Sequence, residues 1–233
     1  MEQQGGKYIS CTDAAEKYDL KTVNFNVAGL PFAALSGENV AANQKVAAKY
    51  LSQNGFDIVA VQEDFGYHKH LVEGMSGFEY KTNHTGGIPG GDGLDIFTKN
   101  MPVYNETRVS WNEASGILSD GSDALTPKGF VYSVIDVGNG IYVDFYNLHA
   151  DAYGGDGSIA ARTSQIKQLA EFIQARSAEN DRPVIVTGDF NNYYLWGNGS
   201  GLTGEDRLRY FTQLVVDFID RGVTSLTVAL SSD

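Results

Sequence analysis

The stretch Asp57-Ile58-Val59-Ala60-Val61-Gln62-Glu63 decides the fold, because an unbroken apolar run ends here in two polar residues. A short apolar run without alternation is typical of a strand that is buried on both faces of a parallel sheet. Residues 40–53 before it have apolar side chains at helical spacing and stop just before Gly55. Residues 20–27 have the β-branched and aromatic content of a strand and are followed by Gly29. Together these segments predict a strand, helix, strand unit.

A second unit of the same kind occurs towards the other end of the chain. Residues 141–148 predict one strand and residues 184–187 predict another. Between them a helix is predicted, with Ser158 as its N-cap. Its apolar residues fall at positions i, i+3, i+4 and i+7, namely Ile166, Leu169, Ala170 and Ile173.

The segments between and after the two units complete the predicted architecture. Residues 94–98 and 130–135 predict strands, and the turn Gly138-Asn139-Gly140 joins the second of these to the next strand as a hairpin. A last helix is expected over residues 205–221, with a strand over residues 226–230. The duplication predicts a four-layer α/β sandwich, in which two facing mixed β-sheets are flanked by helices.

No Pro- or Ser-rich linker divides the middle of the chain, so a single domain is predicted over residues 20–233, with residues 1–19 as an N-terminal extension. The 233 residues are 42% apolar and 12% aromatic, which is enough material for a core and excludes disorder as the main state. No apolar run is long enough to cross a membrane, and the lone Cys11 cannot form an internal disulfide. We expect a soluble monomer; no signal peptide is visible, and secretion would require that an upstream signal had been removed.

The charge balance of the chain limits the kinds of molecule that it is expected to bind. Against 17 Lys and Arg residues stand 29 Asp and Glu residues, which gives a net charge of −12. A protein that grips nucleic acid by neutralising phosphates needs the opposite sign, so tight non-specific nucleic-acid binding is not expected.

Polar side chains gather where the predicted strands end. In sheets of this kind, ligands bind beyond the carboxyl ends of the strands. Oxygen donors and one imidazole are found there: Asn26, Gln62, Glu63, Asp64, Asn147, His149, Asp151, Asp189 and Asn191. Hard cations such as Mg²⁺ prefer such oxygen ligands, and phosphoryl transfer needs such a cation to offset developing negative charge.

Each residue also has a structural interpretation. Asn26 could bond its own turn, Glu63 could be a solvated loop carboxylate, and Asp189 with Asn191 could form an Asx turn. His149, directly after an apolar strand, could equally be a core histidine with a hydrogen-bond partner.

Another segment, His68-Lys69-His70, could bind a transition metal through two imidazoles. It has neither a Cys nor a third His at ligand spacing, so a solvated helix or loop end is the favoured interpretation. The aromatic segment Tyr193-Tyr194-Leu195-Trp196 could stack on a substrate or touch lipid, although a packed cluster is more common.

Five segments in this order resemble the endonuclease/exonuclease/phosphatase superfamily, which has the deoxyribonuclease I-like fold. The start of the first segment is closer to the sphingomyelinase and inositol-phosphate phosphatase branches than to the nucleases. The segments are residues 23–31, 57–63, 91–99, 147–151 and 188–191.

The resemblance implies a Mg²⁺-dependent (or Mn²⁺-dependent) hydrolase of a phosphodiester or phosphomonoester, with a lipid, an inositol phosphate or a nucleic acid as substrate. Glu63 would be the main metal ligand, and Asn26 would touch metal or phosphate. His149 would hydrogen-bond a phosphoryl oxygen, while Asp189 would position or activate the attacking water and Asn191 would hold the phosphate.

The same resemblance makes Asp92 the candidate acidic partner that orients His149. It leaves Arg162 and Gln165 as structural residues.

One departure from the family pattern concerns the end of the chain. The family ends in a Ser-Asp-His run, whereas this chain ends Leu230-Ser231-Ser232-Asp233 and has no His after Asp189. The expectation is that C-terminal strands are lacking. The alternative function is therefore a phosphate- and metal-binding module of the same fold with impaired catalysis.

Overall fold

The computed structural model describes residues 20–31, 37–115, 126–152, 155–177, 180 and 182–191, together with the backbone of residues 226–230. The described strands are β1 (Thr22–Asn26), β2 (Ile58–Gln62), β3 (Tyr80–Lys81), β4 (Asp95–Thr98), β5 (Val103–Ser110), β6 (Gly129–Gly138), β7 (Ile141–His149), β8 (Val184–Asp189) and β9 (Leu226–Leu230). The described helices are α1 (Val40–Gln53), α2 (His68–Gly74) and α3 (Asp156–Ser177).

The first sheet has the strand order β1-β2-β4-β3. Strands β1 and β2 are parallel, with Asn26 opposite Gln62, so α1 forms the crossover of a strand, helix, strand unit. Strand β4 runs antiparallel to β2, which makes the sheet mixed and places Asp95, opposite Val61, near the carboxyl end of β2.

The second sheet has the order β5-β6-β7-β8-β9. Strands β6 and β7 form the predicted hairpin around Asn139, and β8 pairs with β7 in parallel across the α3 crossover. This register places His149 opposite Asp189. Strand β9 pairs in parallel with β8 at the far side.

The two sheets face each other across an apolar core. Alternation along β2 sends Ile58 and Ala60 to this core, where they pack with Val131, Ile135 and Phe145 of the second sheet. The side chains of Val59 and Val61 point away from the second sheet, because successive residues of a strand face opposite sides.

Helices cover the outer faces. Val59 and Val61 of β2 pack against Leu51 of α1 and Leu71 of α2. On the other side, apolar residues of α3 pack on β6, β7 and β8, forming a cluster that includes Phe130, Tyr146, Val186, Leu169 and Ile173. The order helix, sheet, sheet, helix confirms the predicted four-layer sandwich.

Most predicted elements are present. Helix α1 has the predicted limits, and β9 lies where a strand was expected. The prediction for Ser158 is wrong, because α3 begins at Asp156 and Ser158 is buried within its first turn. Residues 205–221 and the aromatic segment 193–196 lie outside the described residues.

Strand β5 was not predicted, and its composition explains why. Its eight residues include Asn105, Glu106 and Arg108, and the pairing with β6 is irregular between Tyr104 and Thr107. The left-handed backbone of Asn105, with φ of 54°, marks this irregularity. A polar edge strand interrupted by a bulge lacks the alternation by which strands are found in a sequence.

None of the helices that the structure describes has both the length and the apolar character needed to cross a membrane.

Candidate active site

Strand register brings together polar side chains from both sheets. The parallel pair β1 and β2 places Asn26 beside the carboxyl end of β2, which continues into Glu63. The parallel pair β7 and β8 places His149 beside Asp189. These residues and Asn191 are called the inter-sheet cluster below.

The amide of Asn26 links the two halves of this cluster. Its Nδ2 donates to Glu63 Oε1 over 3.1 Å and to Asp189 Oδ2 over 3.0 Å. Glu63 and Asp189 are each partly exposed, so both carboxylates border solvent. Two carboxylates that share one neutral N–H₂ group form a site of negative charge that favours a cation.

The strand-end turns proposed from the sequence do form, and they use only one oxygen of each side chain. Asn26 Oδ1 accepts from the backbone N–H of Ala28 over 2.9 Å, and Asp189 Oδ1 accepts from that of Asn191 over 2.9 Å. The remaining polar atoms, Nδ2 of Asn26 and Oδ2 of Asp189, meet each other in the cluster. The structural and the functional interpretations of these residues are therefore compatible.

Glu63 is held in an unusual backbone conformation. Its φ is 57°, a left-handed value that costs a non-glycine residue about 1 kcal/mol. Its carbonyl oxygen accepts from the N–H of Gly29 over 3.1 Å and from that of Phe65 over 3.0 Å. A Cβ atom on Gly29 would lie 2.3 Å from that oxygen, so only glycine allows this approach. The backbone around Glu63 is thus fixed before any ligand binds.

His149 is almost completely buried, with 3% of its side chain exposed. Its Nε2 lies 3.7 Å from Asp189 Oδ2. Its backbone is fixed by the β7–β8 pairing and by Trp111, whose Nε1 donates to the carbonyl of His149 over 2.7 Å. The imidazole therefore has a fixed position beside a carboxylate that borders solvent.

Asn191 lies directly after β8 and has a left-handed φ of 47°. Its Nδ2 donates to the carbonyl oxygen of Ala150 over 3.0 Å. The chain after His149 and the chain after Asp189 are thereby tied together at the edge of the cluster.

Asp92 lies in the loop before β4. Both of its carboxylate oxygens accept from Arg108 Nη1 over 2.8 Å, and Oδ1 also accepts from Thr85 Oγ1 over 2.8 Å and from the backbone N–H of Leu94 over 3.0 Å. These contacts fix Asp92 through Arg108 and the loop. Its role in orienting His149 stays a prediction.

Two other strand-end residues are structural links between the sheets. Gln62 Nε2 donates to Asn24 Oδ1 over 2.7 Å and to Asn147 Oδ1 over 2.6 Å. Asn147 Nδ2 donates to the carbonyls of Val61 and Asp95 over 2.8 Å and 3.1 Å. These buried bonds join the ends of β2, β4 and β7.

Arg162 and Gln165 also contact the main chain. Arg162 Nη1 donates to the backbone carbonyl of Asp151 over 2.9 Å, and Gln165 Oε1 accepts from the backbone N–H of Asp151 over 2.9 Å. They support the segment after His149, in keeping with the structural role expected for them.

A second polar cluster was missed by the sequence analysis. Its members, called the histidine cluster below, are Asp64, His68, His84 and Asp95, and one ligand atom of each lies within 4.8 Å of those of the others. His68 Nδ1 lies 2.6 Å from Asp64 Oδ2, and His84 Nδ1 lies 3.0 Å from Asp95 Oδ2. The side chains of Asp64 and Asp95 are buried, and those of the two histidines are 17% and 20% exposed.

Burial has a strong electrostatic effect on this cluster. Desolvation raises the pKa of Asp95 to about 6, although the hydrogen bond with His84 acts in the opposite direction. Burial by itself would lower the pKa of His84, but the hydrogen bond to Asp95 and the charges of Asp95 and Asp64 outweigh it, so that the pKa is raised.

Residues 68–70 do form a helix end, the first turn of α2, but His68 is not solvated there, because only 17% of its side chain is exposed. The sequence pairs His68 with His70 by proximity, whereas the fold pairs it with His84 from another loop and turns His70 towards Glu73, with 3.8 Å between Nδ1 and Oε2. The one available clue was that Asp64 and His68 are four residues apart. That spacing is too common to predict a site.

Three comparisons place this architecture among known proteins. The model of the Endonuclease/Exonuclease/phosphatase family matches residues 23–225. A sphingomyelinase from Mycobacterium tuberculosis is 33% identical over 185 residues, which cover 76% of this chain and 34% of that protein. The chain therefore spans about a third of the length of this relative.

Two solved structures have the same fold. Sphingomyelinase C from Streptomyces griseocarneus superposes with a TM-score of 0.64 at 20% identity, covering 87% of this chain and 70% of that one. A mutant of beta toxin from Staphylococcus aureus, solved with bound magnesium ions, gives a TM-score of 0.64 at 21% identity, covering 88% and 70% of the two chains. At these identities the likeness is one of fold alone.

The family match begins in β1 and runs through every described element up to β8, so it includes both sheets and every member of the inter-sheet cluster. By this match, the chain belongs to the endonuclease/exonuclease/phosphatase family.

Proposed function

We propose that this chain is a Mg²⁺-dependent phosphodiesterase that hydrolyses sphingomyelin or a lipid with a similar phosphodiester head group. The observation that carries the proposal is the contact of the Glu63 and Asp189 carboxylates with one amide nitrogen, that of Asn26, beside the buried His149. Within this cluster there is a candidate group to bind the metal ion, one to accept a proton from the attacking water, and one to stabilise the charge on the phosphoryl oxygens.

The donor set fits a hard divalent cation. Glu63 offers a carboxylate, and Asn26 would offer its amide oxygen once its side-chain amide turns over, since Nδ2 now faces Glu63. Neither a thiol nor a second imidazole is among the described members of the cluster. Oxygen donors that border solvent suit Mg²⁺, which keeps several waters in protein sites; Mn²⁺ would accept the same ligands. When bound, the cation supplies positive charge against the phosphoryl oxygens.

Asp189 is the proposed group for the attacking water. Its Oδ1 is held by the N–H of Asn191, which leaves Oδ2 to accept a proton from water. As the water oxygen bonds to phosphorus, the bond from phosphorus to the leaving oxygen breaks on the opposite side. The Asn26 amide, which donates to Oδ2 over 3.0 Å, and the His149 imidazole, 3.7 Å away, would fix its orientation.

His149 is the proposed donor to a phosphoryl oxygen. A buried imidazole loses little orientational freedom when the transition state forms, so its hydrogen bond can strengthen there without reorganisation. Asn191 follows Asp189 on the same turn and would hold the phosphate through its side chain. Asp92, whose carboxylate is held by Arg108, is proposed as the acidic residue that orients His149.

Two features support a phospholipid substrate. The relative with 33% identity is described as a sphingomyelinase, and a net charge of −12 disfavours a polyanionic nucleic acid. The zwitterionic head group of sphingomyelin carries no net charge that this protein would repel.

The test is turnover of sphingomyelin in detergent micelles by the 233-residue chain, with Mg²⁺ and with EDTA. Glu63→Gln keeps the shape of the side chain but removes its charge, and should weaken activation by Mg²⁺ by about 10-fold or more. Glu73→Gln is the matched control, since that carboxylate is 59% exposed and pairs only with groups outside the cluster.

Hydrolysis that is unaffected by EDTA, or equal Mg²⁺ dependence in the two variants, would overturn the assignment of Glu63. Phosphate binding without turnover, measured by calorimetry, would favour the alternative of a binding module. Faster cleavage of inositol phosphates or plasmid DNA than of sphingomyelin would keep the site and replace the substrate.

A further inference from the structure

The histidine cluster is built by four separate segments of the first sheet and its connections. Asp64 follows β2, His68 begins α2, His84 lies in the loop after β3, and Asp95 begins β4. The rings of His68 and His84 are stacked, with centroids 3.9 Å apart and planes inclined by 8°. Both Nδ1 atoms approach the same oxygen, Oδ2 of Asp95, over 3.6 Å and 3.0 Å.

The carboxylates of this cluster carry more negative charge than the nearby arginine offsets. Arg108 Nη2 lies 3.4 Å from Asp95 Oδ1, but the same side chain also binds Asp92 and Glu106. Buried carboxylates need compensating positive charge. A single divalent cation among the four ligand atoms would balance Asp64 and Asp95.

The buried carboxylate of Asp64 also indicates a bound ion. Its side chain is completely buried, and its Oδ1 has no hydrogen-bond partner among the described residues. A buried carboxylate oxygen without a partner is costly, and such groups in native proteins usually face a water or an ion.

We propose that Asp64, His68, His84 and Asp95 bind a Zn²⁺ ion, at a site separate from the Glu63 site. Two imidazole nitrogens and two carboxylate oxygens are a ligand set for tetrahedral zinc, in which ligand atoms lie about 3.4 Å apart. The separations of 2.6 Å, 3.0 Å and 3.6 Å between these ligand atoms lie around this value, so small side-chain rotations convert the hydrogen-bonded arrangement into a coordinated one.

The surroundings of Asp95 match those of a metal-ligating carboxylate. Its Oδ1 accepts from Thr82 Oγ1 over 3.1 Å and from Arg108 Nη2 over 3.4 Å, which leaves Oδ2 directed at the histidines. Hydrogen bonds of this kind orient ligating carboxylates and are part of most metal sites.

The ligand set also separates this site from the Mg²⁺ site. Imidazole nitrogen is a preferred ligand of Zn²⁺ but not of Mg²⁺, which demands octahedral oxygen coordination. Four protein ligands, two of them buried, make a closed site of the structural kind. Bound zinc would join α2, the loop after β3 and β4 into one rigid unit at the end of β2.

The experiment uses the full 233-residue chain, stripped of metal and then titrated with Zn²⁺ alone. Calorimetry should show one tight Zn²⁺ per chain, and the melting temperature should rise with Zn²⁺ in the presence of excess Mg²⁺. Co²⁺ bound in place of Zn²⁺ should give the intense visible absorption that is typical of tetrahedral cobalt with imidazole ligands.

Variants then locate the ion. His84→Gln and Asp64→Asn each remove one ligand and should weaken Zn²⁺ binding by about 10-fold to 100-fold or more. His70→Gln is the matched control, because His70 lies on the same helix as His68 but outside the cluster. Glu63→Gln should keep the zinc and lose only the response to Mg²⁺.

The proposal is overturned if the wild-type chain takes up no zinc, or if His84→Gln and Asp64→Asn bind it as tightly as His70→Gln. Loss of zinc in Glu63→Gln alone would place the ion in the inter-sheet cluster instead. If both ligand variants fail to fold, the Co²⁺ spectrum of the wild-type chain decides, since an octahedral spectrum contradicts the proposed geometry.

Discussion

Glu63 and Asp64 are consecutive residues, yet they belong to clusters of opposite character. The inter-sheet cluster of Glu63 is built from strand ends of both sheets, carries oxygen donors around one imidazole, and borders solvent. The histidine cluster of Asp64 belongs to one sheet, pairs carboxylates with stacked imidazoles, and encloses its carboxylates. The carboxylates of the first cluster border solvent, whereas those of the second are closed off from it.

One strand end supplies a carboxylate to each of the two clusters. The left-handed turn at Glu63 ends β2 and sends the next residue towards α2 and β4. One carboxylate is thereby presented between the sheets and the next is buried beside the helix. Four substitutions, each with a control or an outcome that would contradict it, test this difference between the two clusters.

The largest effect is expected from His149→Ala, which removes the proposed transition-state donor of the inter-sheet cluster. The kcat should fall about 100-fold to 10,000-fold, or about 3 to 5 kcal/mol in barrier. Steady-state kinetics on sphingomyelin measures it, with His70→Ala as control for losing an imidazole. Because His149 is buried, His149→Gln is a second variant; a folded protein with unchanged kcat would make His149 a core residue.

The next largest effect is expected on the stability of the protein, from replacing Arg108, which binds Asp95 of the histidine cluster. Arg108 bonds Asp92 and Asp95 and is 18% exposed, so Arg108→Met leaves largely buried carboxylates without their partner. The free energy of unfolding should fall by about 3 kcal/mol in urea titrations of the metal-free chain. Lys45→Met breaks the exposed pair with Glu73, which solvent screens, and should cost much less. Equal losses in both variants would contradict the difference in burial.

A smaller effect is expected from Gly29→Ala, which presses a methyl group against the carbonyl oxygen of Glu63. Overpacking of this kind costs about 1 to 3 kcal/mol, and the shifted backbone should also weaken activation by Mg²⁺. Gly66→Ala is the control, since its added methyl group meets nothing within 4 Å. Zinc affinity of Gly29→Ala close to that of the wild type would show that the disturbance stays in the inter-sheet cluster.

The smallest effect is expected from Asn191→Gly, which removes the side chain but tolerates the φ of 47°. Loss of one hydrogen bond to phosphate, about 1 kcal/mol, should raise KM about 5-fold. If KM is unchanged and only the melting temperature falls, the bond to Ala150 is the sole function of this side chain.

The fold was largely predictable because its signals are local. The apolar run of β2, the helical spacing of α1 and the glycine turn between β6 and β7 each lie within a few residues. The pairs within the inter-sheet cluster were predictable for a related reason: parallel strands end at the same edge, so Asn26 lies beside Glu63 and His149 beside Asp189. Assigning them to phosphoester chemistry, however, rested on the family resemblance.

Period and chain order in the sequence were enough to predict the strand, helix, strand units, the four-layer architecture and the strand-end donors Asn26, Glu63, His149 and Asp189. The tertiary structure was needed to show that one amide joins both carboxylates, that Arg108 binds Asp92, and that His84 rather than His70 stacks on His68. These contacts depend on how loops and an irregular edge strand fold back onto the sheet. The positions of these loops and of this strand depend on packing between segments that are distant in the sequence. Such packing produces no periodic pattern in the sequence.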